Sequence, residues 1–365
     1  MRLRNAILGA PGGRHAHDDA LDGLRGLAVL IVLASHLSNA GYDLLPGISL
    51  SGIGKSGVYL FFVLSSFLLT RALLAQPPAR WRSARHWANY AMRRVLRIWP
   101  LYLVVLLLSW ALTGLAPAVG WHYRIDTAAL IAHIGLWQGQ SVLWSIPVEF
   151  HYYLWLPLVA LLLLPTLHRR HAWAWGLAIA VALTALALAV WPPADSLPND
   201  VRLGPYLSLF IAGAYAALVT VSAPPATSAS AGRRWGLVGI VSLIAFLATM
   251  PVTWQLWTDG GFQPTLNHRW FPFFGVLWAA LLLAVMFGPG WLRSPFAHPL
   301  MRTWGVVSFS AYLWHMPLLD WMRAWQPAVP EWLMAWGFLA ATLLVSLGSW
   351  ALFERPWQRV RISNR

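Results

Sequence analysis

Apolar residues in this chain run in long stretches separated by short polar loops. Stretches of this length predict membrane-crossing helices. They fall at about residues 24–42, 56–74, 95–115, 141–164, 172–190, 204–221, 235–251, 270–288, 304–322 and 332–352. The segment 126–138 is apolar but short and contains His133, which predicts a re-entrant or interfacial helix instead. The expected fold class is therefore all-α, a polytopic membrane helix bundle of about ten transmembrane helices.

Composition removes the alternatives. Of 365 residues, 58% are apolar and only 10% charged, and the mean hydropathy is +0.58. Soluble chains carry about 25% charged residues, so a soluble enzyme, a disordered chain and a secreted disulfide scaffold are all excluded. The net charge of +14 does not gather on one face, as a nucleic-acid site would require. It sits in short loops, as a topology signal does. With the N-terminus in the cytoplasm, alternation puts Arg25, the cluster Arg71 to Arg97, Arg169, Arg170, Arg233, Arg234, Arg293, Arg302 and the tail arginines inside. Arg124, Arg202, Arg269, Arg323 and Lys55, the only lysine, remain outside. Both termini are then cytoplasmic. The chain divides into an N-terminal cytoplasmic segment 1–20, a transmembrane domain 21–354 and a basic tail 355–365. Loop 222–232 reads as a flexible linker. No cleaved signal peptide is expected from residues 1–20, and the absence of cysteine removes thiol chemistry and disulfides. Arginine, alanine and tryptophan usage points to a GC-rich bacterial genome. No internal repeat is evident, which weakens a carrier built from inverted halves.

Ionisable side chains at membrane depth are costly and therefore candidates. His36, Glu149 and His315 are the ones picked out. Arg25 precedes His36 by eleven residues, about 16 Å and three full turns, so both face nearly the same side. A cation at the cytoplasmic mouth and an imidazole deep in the membrane match a ligand with an anionic head and a long arm, such as acyl-coenzyme A. The plainer reading is a snorkelling arginine and a helix-packing histidine. Pro147 lies two residues before Glu149 and predicts a local break in the hydrogen-bond ladder. Glu149 needs a partner, and His36 or one of Trp144, Tyr152 and Tyr153 could serve. Arg94 and Arg97 share a helical face and form a fork suited to phosphate. Ser310, Tyr312 and His315 make a polar patch, and Glu354 adds an acid near the tail. His168 with His171, and His15 with His17, lack carboxylate or thiol partners, so no metal site is expected. Phosphate-loop, dinucleotide and zinc-protease motifs are missing.

The segments LDGLRGLAVLIVLASH, GKSGVYLFFVLSSFLL, RRVLRIWPLY, LWSIPVEFHYYL, FSAYLWHMPL and FERP, in this order, resemble the acyltransferase type 3 family of bacterial membrane proteins. The resemblance covers residues 20–357. It implies O-acylation, usually acetylation, of an extracytoplasmic carbohydrate such as exopolysaccharide or O-antigen. Acetyl-coenzyme A would be a co-substrate, with no permanently bound cofactor. It assigns His36 as the essential residue, Arg25, Arg94 and Arg97 to the donor, Trp144, Ser145, Glu149 and Tyr153 to a tryptophan–serine–glutamate motif, and Ser310, Tyr312, His315 and Glu354 to C-terminal signatures. Ser66 stands where the family has glycine, and close packing should survive the exchange. The C-terminal esterase-like domain of some members would be lacking. Other partners implied are membrane lipid and a lipid-linked form of the acceptor, in the bacterial inner membrane. The competing function is a proton-coupled carrier or flippase for a lipid-linked sugar, with His36 and Glu149 as the relay.

Overall fold

The computed structural model describes residues 16–120, 122–222, 229–255, 269–325, 329–358 and 360. Its principal helices are α1 (Ala16–Asn39), α2 (Gly54–Leu74), α3 (Ala84–Leu115), α4 (Thr127–Ile134), α5 (Ser145–Leu163), α6 (Ala172–Val190), α7 (Leu207–Ser222) and α8 (Ala229–Ala248). They are followed by α9 (Phe271–Phe287), α10 (Gly290–Ala297), α11 (Pro299–Val306), α12 (Ser308–Trp325) and α13 (Glu331–Ser349). Among the described residues, the one β feature is an isolated bridge between Leu45 and Ile48. Each of the ten predicted stretches is helical. Among the described residues, eight helices are long and apolar enough to cross a bilayer, and nine if α9 and α10, bent by 103° at their junction, count as one span. The remaining predicted stretch is α12, made more polar by His315, Asp320 and Arg323. The 126–138 segment forms α4, whose eight residues reach only about 12 Å and cannot span a bilayer. The N-terminal segment before residue 16, the tail beyond 360 and most of the 222–232 linker lie outside the described residues, as does His15.

The helices separate into two compact units. The first holds residues up to 75, 155–198 and 204–308. Its interior is an aromatic cluster on α2, α7 and α9 and the turn before α7. Phe62 stacks on Phe210 at 4.7 Å, Tyr206 meets Phe271 edge-on at 4.9 Å, and Tyr59 contacts Phe271 and Phe274. All six rings are fully or almost fully buried. Helix α6 has the reverse pattern of a soluble helix. Gly176, Ala180 and Ala187 are buried, while Trp173, Trp175, Val181 and Leu186 are exposed. Small residues face protein and large ones face lipid, because lipid supplies no hydrophobic penalty and close backbone approach drives association.

Glycines set the contact of α1 with α10 and α11 in this unit. A Cβ at Gly23 would overlap the Phe296 carbonyl, one at Gly26 the Met301 carbonyl, and one at Gly305 the Asp22 carbonyl. The two glycines flanking Arg25 in DGLRG are thus needed for close backbone packing. Arg302 of α11 adds an ion pair to Asp19 at 2.6 Å.

The second unit holds residues 76–154, 199–203 and 309–365. It contains α3, α4, the start of α5, most of α12, and α13. A π-helical turn, Trp350–Glu354, follows α13.

Candidate active site

Arg25 and His36 both lie on α1, in the first unit. The helix begins earlier and ends earlier than predicted, and this moves both residues along it. His36 falls in the last turn, whereas Arg25 is in the body of the helix. The two residues nevertheless share one regular helix, eleven positions and about 16 Å apart, as their spacing predicts. His36 is half-buried. The turn it occupies is fastened to the loop that follows. Ser38 Oγ donates to Asp43 at 2.6 Å and accepts from Leu50 N at 3.0 Å, and Asn39 Oδ1 accepts from Ser51 Oγ at 2.5 Å.

Ser66 behaves as expected. Its side chain is fully buried and its hydroxyl donates to the Phe210 carbonyl at 2.6 Å. Gly213 lies opposite, where a Cβ would crowd Ser66 Cβ and overlap the Val63 carbonyl. Here α7 supplies the missing volume.

The second unit gathers the other candidates. Ser145, Glu149 and Tyr153 recur every four residues and form one face of α5. Tyr153 Oη donates to Glu149 Oε1 at 2.5 Å, so one of the tyrosines weighed as its partner does bind it. Tyr90 Oη donates to the Tyr153 carbonyl at 2.9 Å. The Arg94 guanidinium stands 5.6 Å from the centre of the Tyr153 ring, and its Nε is buried with no hydrogen-bond partner among the described residues. Ser145 Oγ donates to Tyr312 Oη at 2.9 Å, and Tyr312 Oη donates to the Val142 carbonyl at 2.5 Å. Trp144 is buried, and Gly139 permits its backbone to approach. Pro147 requires correction. It occupies the first turn of α5, where amide groups have no intrahelical acceptor, so it breaks no ladder bond. The proline inside α5 is Pro157.

Arg97 and Glu354 form an ion pair at 2.7 Å, with Glu354 buried and Arg97 retaining 20% exposure. Ser310 Oγ donates to the other carboxylate oxygen at 2.5 Å. The π turn that carries Glu354 into this position leaves no trace in apolar periodicity. His315 is fully buried and donates from Nδ1 to the Tyr312 carbonyl at 2.7 Å. Among the described residues, no cluster of three or more potential metal ligands occurs.

Two residues outside the sequence candidates share this chemistry. Tyr90 supports the α5 stripe, and a scan for aromatic hydroxyls one turn before Arg94 would have found it. Asp320 is an acid within a predicted span, and the rule that selects Glu149 applies to it equally.

This ordered set of polar side chains on membrane-spanning helices defines a membrane acyltransferase domain. Residues 18–354 match the family described as Acyltransferase domain, and the chain belongs to it. Peptidoglycan O-acetyltransferase OatA of Listeria monocytogenes is similar, at 24% identity over 364 residues, covering 92% of this chain and 55% of that protein. BcsY of Komagataeibacter xylinus, which carries the name of a membrane-bound transacylase, is 29% identical over 359 residues, covering 92% of this chain and 81% of that protein. A Staphylococcus aureus protein named as an O-acetyltransferase is 24% identical over 330 residues, covering 84% and 51%. The chain thus spans about half the length of the Listeria and Staphylococcus relatives. No solved structure matches.

Proposed function

We propose that this multi-pass membrane protein transfers an acyl group, acetyl by analogy with the names of its relatives, from cytoplasmic acyl-coenzyme A to a hydroxyl of an extracytoplasmic carbohydrate at the bacterial inner membrane. The observation that carries the reading is the family match over residues 18–354. Arg94 supports donor binding, because its buried Nε has no protein partner and a phosphate oxygen would satisfy it. Arg97 is held in a fixed orientation by Glu354, which favours bidentate recognition of a second phosphate oxygen. Arg25, on α1 of the first unit, is a further cation that the family resemblance assigns to the donor.

His36 is the general base. It removes the proton from the acceptor hydroxyl as that oxygen attacks the thioester carbonyl. The tetrahedral adduct expels the coenzyme thiolate, and the imidazolium returns the proton to sulfur. Glu149 orients the imidazole and stabilises its protonated form, and the Tyr153 hydroxyl holds the carboxylate. The acyl group alone crosses the membrane.

Purified protein in sealed lipid vesicles, given acetyl-coenzyme A labelled in the acetyl group and a glycan acceptor, tests the reading. Release of free coenzyme A with label on the glycan is expected, and His36→Ala should abolish both. Translocation of the glycan without coenzyme A release would replace the enzyme by a carrier.

A further inference from the structure

The second unit contains a cavity of about 410 Å³ that none of the family residues lines. Its walls are the loop before α4, the turn before α5 and one face of α12. The side chains that matter are His122, Tyr123, Arg124, Gln140, Ser141 and Asp320. The volume lies within the range of roughly 300–1,000 Å³ typical of ligand sites.

The surrounding structure holds these groups in place. Tyr123 Oη donates to the Leu313 carbonyl of α12 at 2.8 Å, and Thr113 of α3 accepts from Ile125 N at 3.1 Å. His133, buried on α4, donates to the Ala129 carbonyl at 2.8 Å and accepts from Gln140 N at 3.0 Å. The histidine that marks the 126–138 segment is therefore the post that holds Gln140. Ser141 adopts a left-handed backbone at φ 52°, a conformation that costs a non-glycine residue about 1–3 kcal/mol. On α12, Asp320 lies eight residues beyond Tyr312 and on the same face. The cavity wall thus continues the row that begins with the Tyr312–Ser145 bond.

The chemistry of the lining is mixed. Arg124 offers donors, Asp320 offers acceptors, and Gln140 and Ser141 offer both. His122 is buried, and its Nδ1 has no hydrogen-bond partner among the described residues. A phosphate group would be repelled by Asp320, and a divalent cation would find one carboxylate and a guanidinium. Alternating donors and acceptors match a ligand whose hydroxyls each donate and accept.

Position adds a second argument. The cavity adjoins the C-terminal end of α3, whose 32 residues extend about 48 Å, while Arg94 and Arg97 lie toward its beginning. The cavity is thus toward the opposite end of that helix from the phosphate-binding arginines.

We infer that this cavity is the subsite for one sugar residue of the acceptor glycan, with Arg124 and Asp320 recognising its hydroxyls. Its role in catalysis rests on the acyltransfer reading above, whereas the binding does not.

The test titrates the full chain in nanodiscs with cellotetraose, chitotetraose and tetragalacturonate, by calorimetry, for the wild type, Asp320→Asn and Arg124→Gln. At least one tetrasaccharide binds the wild type, and each variant weakens it about tenfold or more, because a charge-assisted hydrogen bond to a sugar hydroxyl is lost. The dissociation constant for acetyl-coenzyme A and the unfolding temperature should not move. Should Asp320→Asn fail to fold, the exposed Arg124 still reports. Binding of none of the three by the wild type, or equal binding by the variants, overturns the subsite. The two readings fail separately. Binding lost in the variants without any acetyl transfer by the wild type keeps the subsite and removes the enzyme. Transfer with an unchanged acceptor KM in both variants keeps the enzyme and removes the subsite.

Discussion

In the first unit the family motif around Arg25 meets its neighbours backbone to backbone, through Gly23, Gly26 and Gly305. In the second unit the family residues meet side chain to side chain, through Arg97, Glu354, Ser310, Ser145 and Tyr312. The two kinds of contact fail differently. A glycine contact has no chemistry to lose, but any added atom must displace a carbonyl. A buried polar network tolerates changes of shape more readily than loss of one partner, since the group left behind stays desolvated.

The largest effect should come from His36→Ala, which leaves both kinds of contact intact and removes the proposed base. Transfer should fall by about 10²–10⁴-fold in a coenzyme A release assay, while the unfolding temperature in detergent stays at the wild-type value. Full activity would remove the base from the mechanism.

Glu354→Ala probes the second unit by breaking the side-chain network alone. It leaves Arg97 without its anion, a change worth about 3–5 kcal/mol for a fully buried pair. The loss should fall toward the lower end because Arg97 keeps 20% exposure. Denaturant unfolding should report the loss, and Glu354→Gln, which can still accept from Ser310, should recover part of it. Next, Gly305→Val probes the first unit. Its side chain would overlap the Asp22 carbonyl, and overpacking of this kind costs about 1–3 kcal/mol. Tyr312→Phe removes a donor from the Val142 carbonyl and an acceptor from Ser145, for a loss of about 1 kcal/mol in the same assay.

The smallest expected effect concerns pH. Burial, and then the neighbouring Arg124, lower the pKa of His122 below its ordinary value near 6.5. The unfolded chain then binds more protons than the native one on the acid side of that value. The contribution of His122 to stability is complete above about pH 6.5 and declines as pH falls toward the lowered native pKa. His122→Phe should flatten that acid limb, and an unchanged pH profile would deny the burial its cost.

The helices were legible because long apolar stretches have few alternatives in lipid, where backbone polar groups must bond within the segment, and each of the ten predicted stretches is helical. The site was legible as a set of residues: Ser145, Glu149 and Tyr153 stand out as polar groups at four-residue spacing. Their partners were less visible. The Tyr153–Glu149 bond was one of several choices left by the sequence, and Glu354 reaches Arg97 through a π turn that periodicity does not encode. The ends of α1 differ from the predicted stretch because its first turns, from Ala16 through Asp22, are polar and leave no mark in an apolar run. Asp320 was overlooked because it lies near the end of its stretch, where an acid looks like loop chemistry.

Helix α3 has a consequence for how the protein must be handled. A rod of about 48 Å overshoots a hydrocarbon slab of roughly 30 Å, so the turns bearing Arg85 and Arg93 stand among lipid headgroups. If the proposed donor is acyl-coenzyme A, headgroup phosphates and coenzyme phosphates compete for neighbouring guanidinium groups. Reconstitution into anionic vesicles should raise the apparent demand for donor relative to zwitterionic ones, which makes the choice of lipid a kinetic variable.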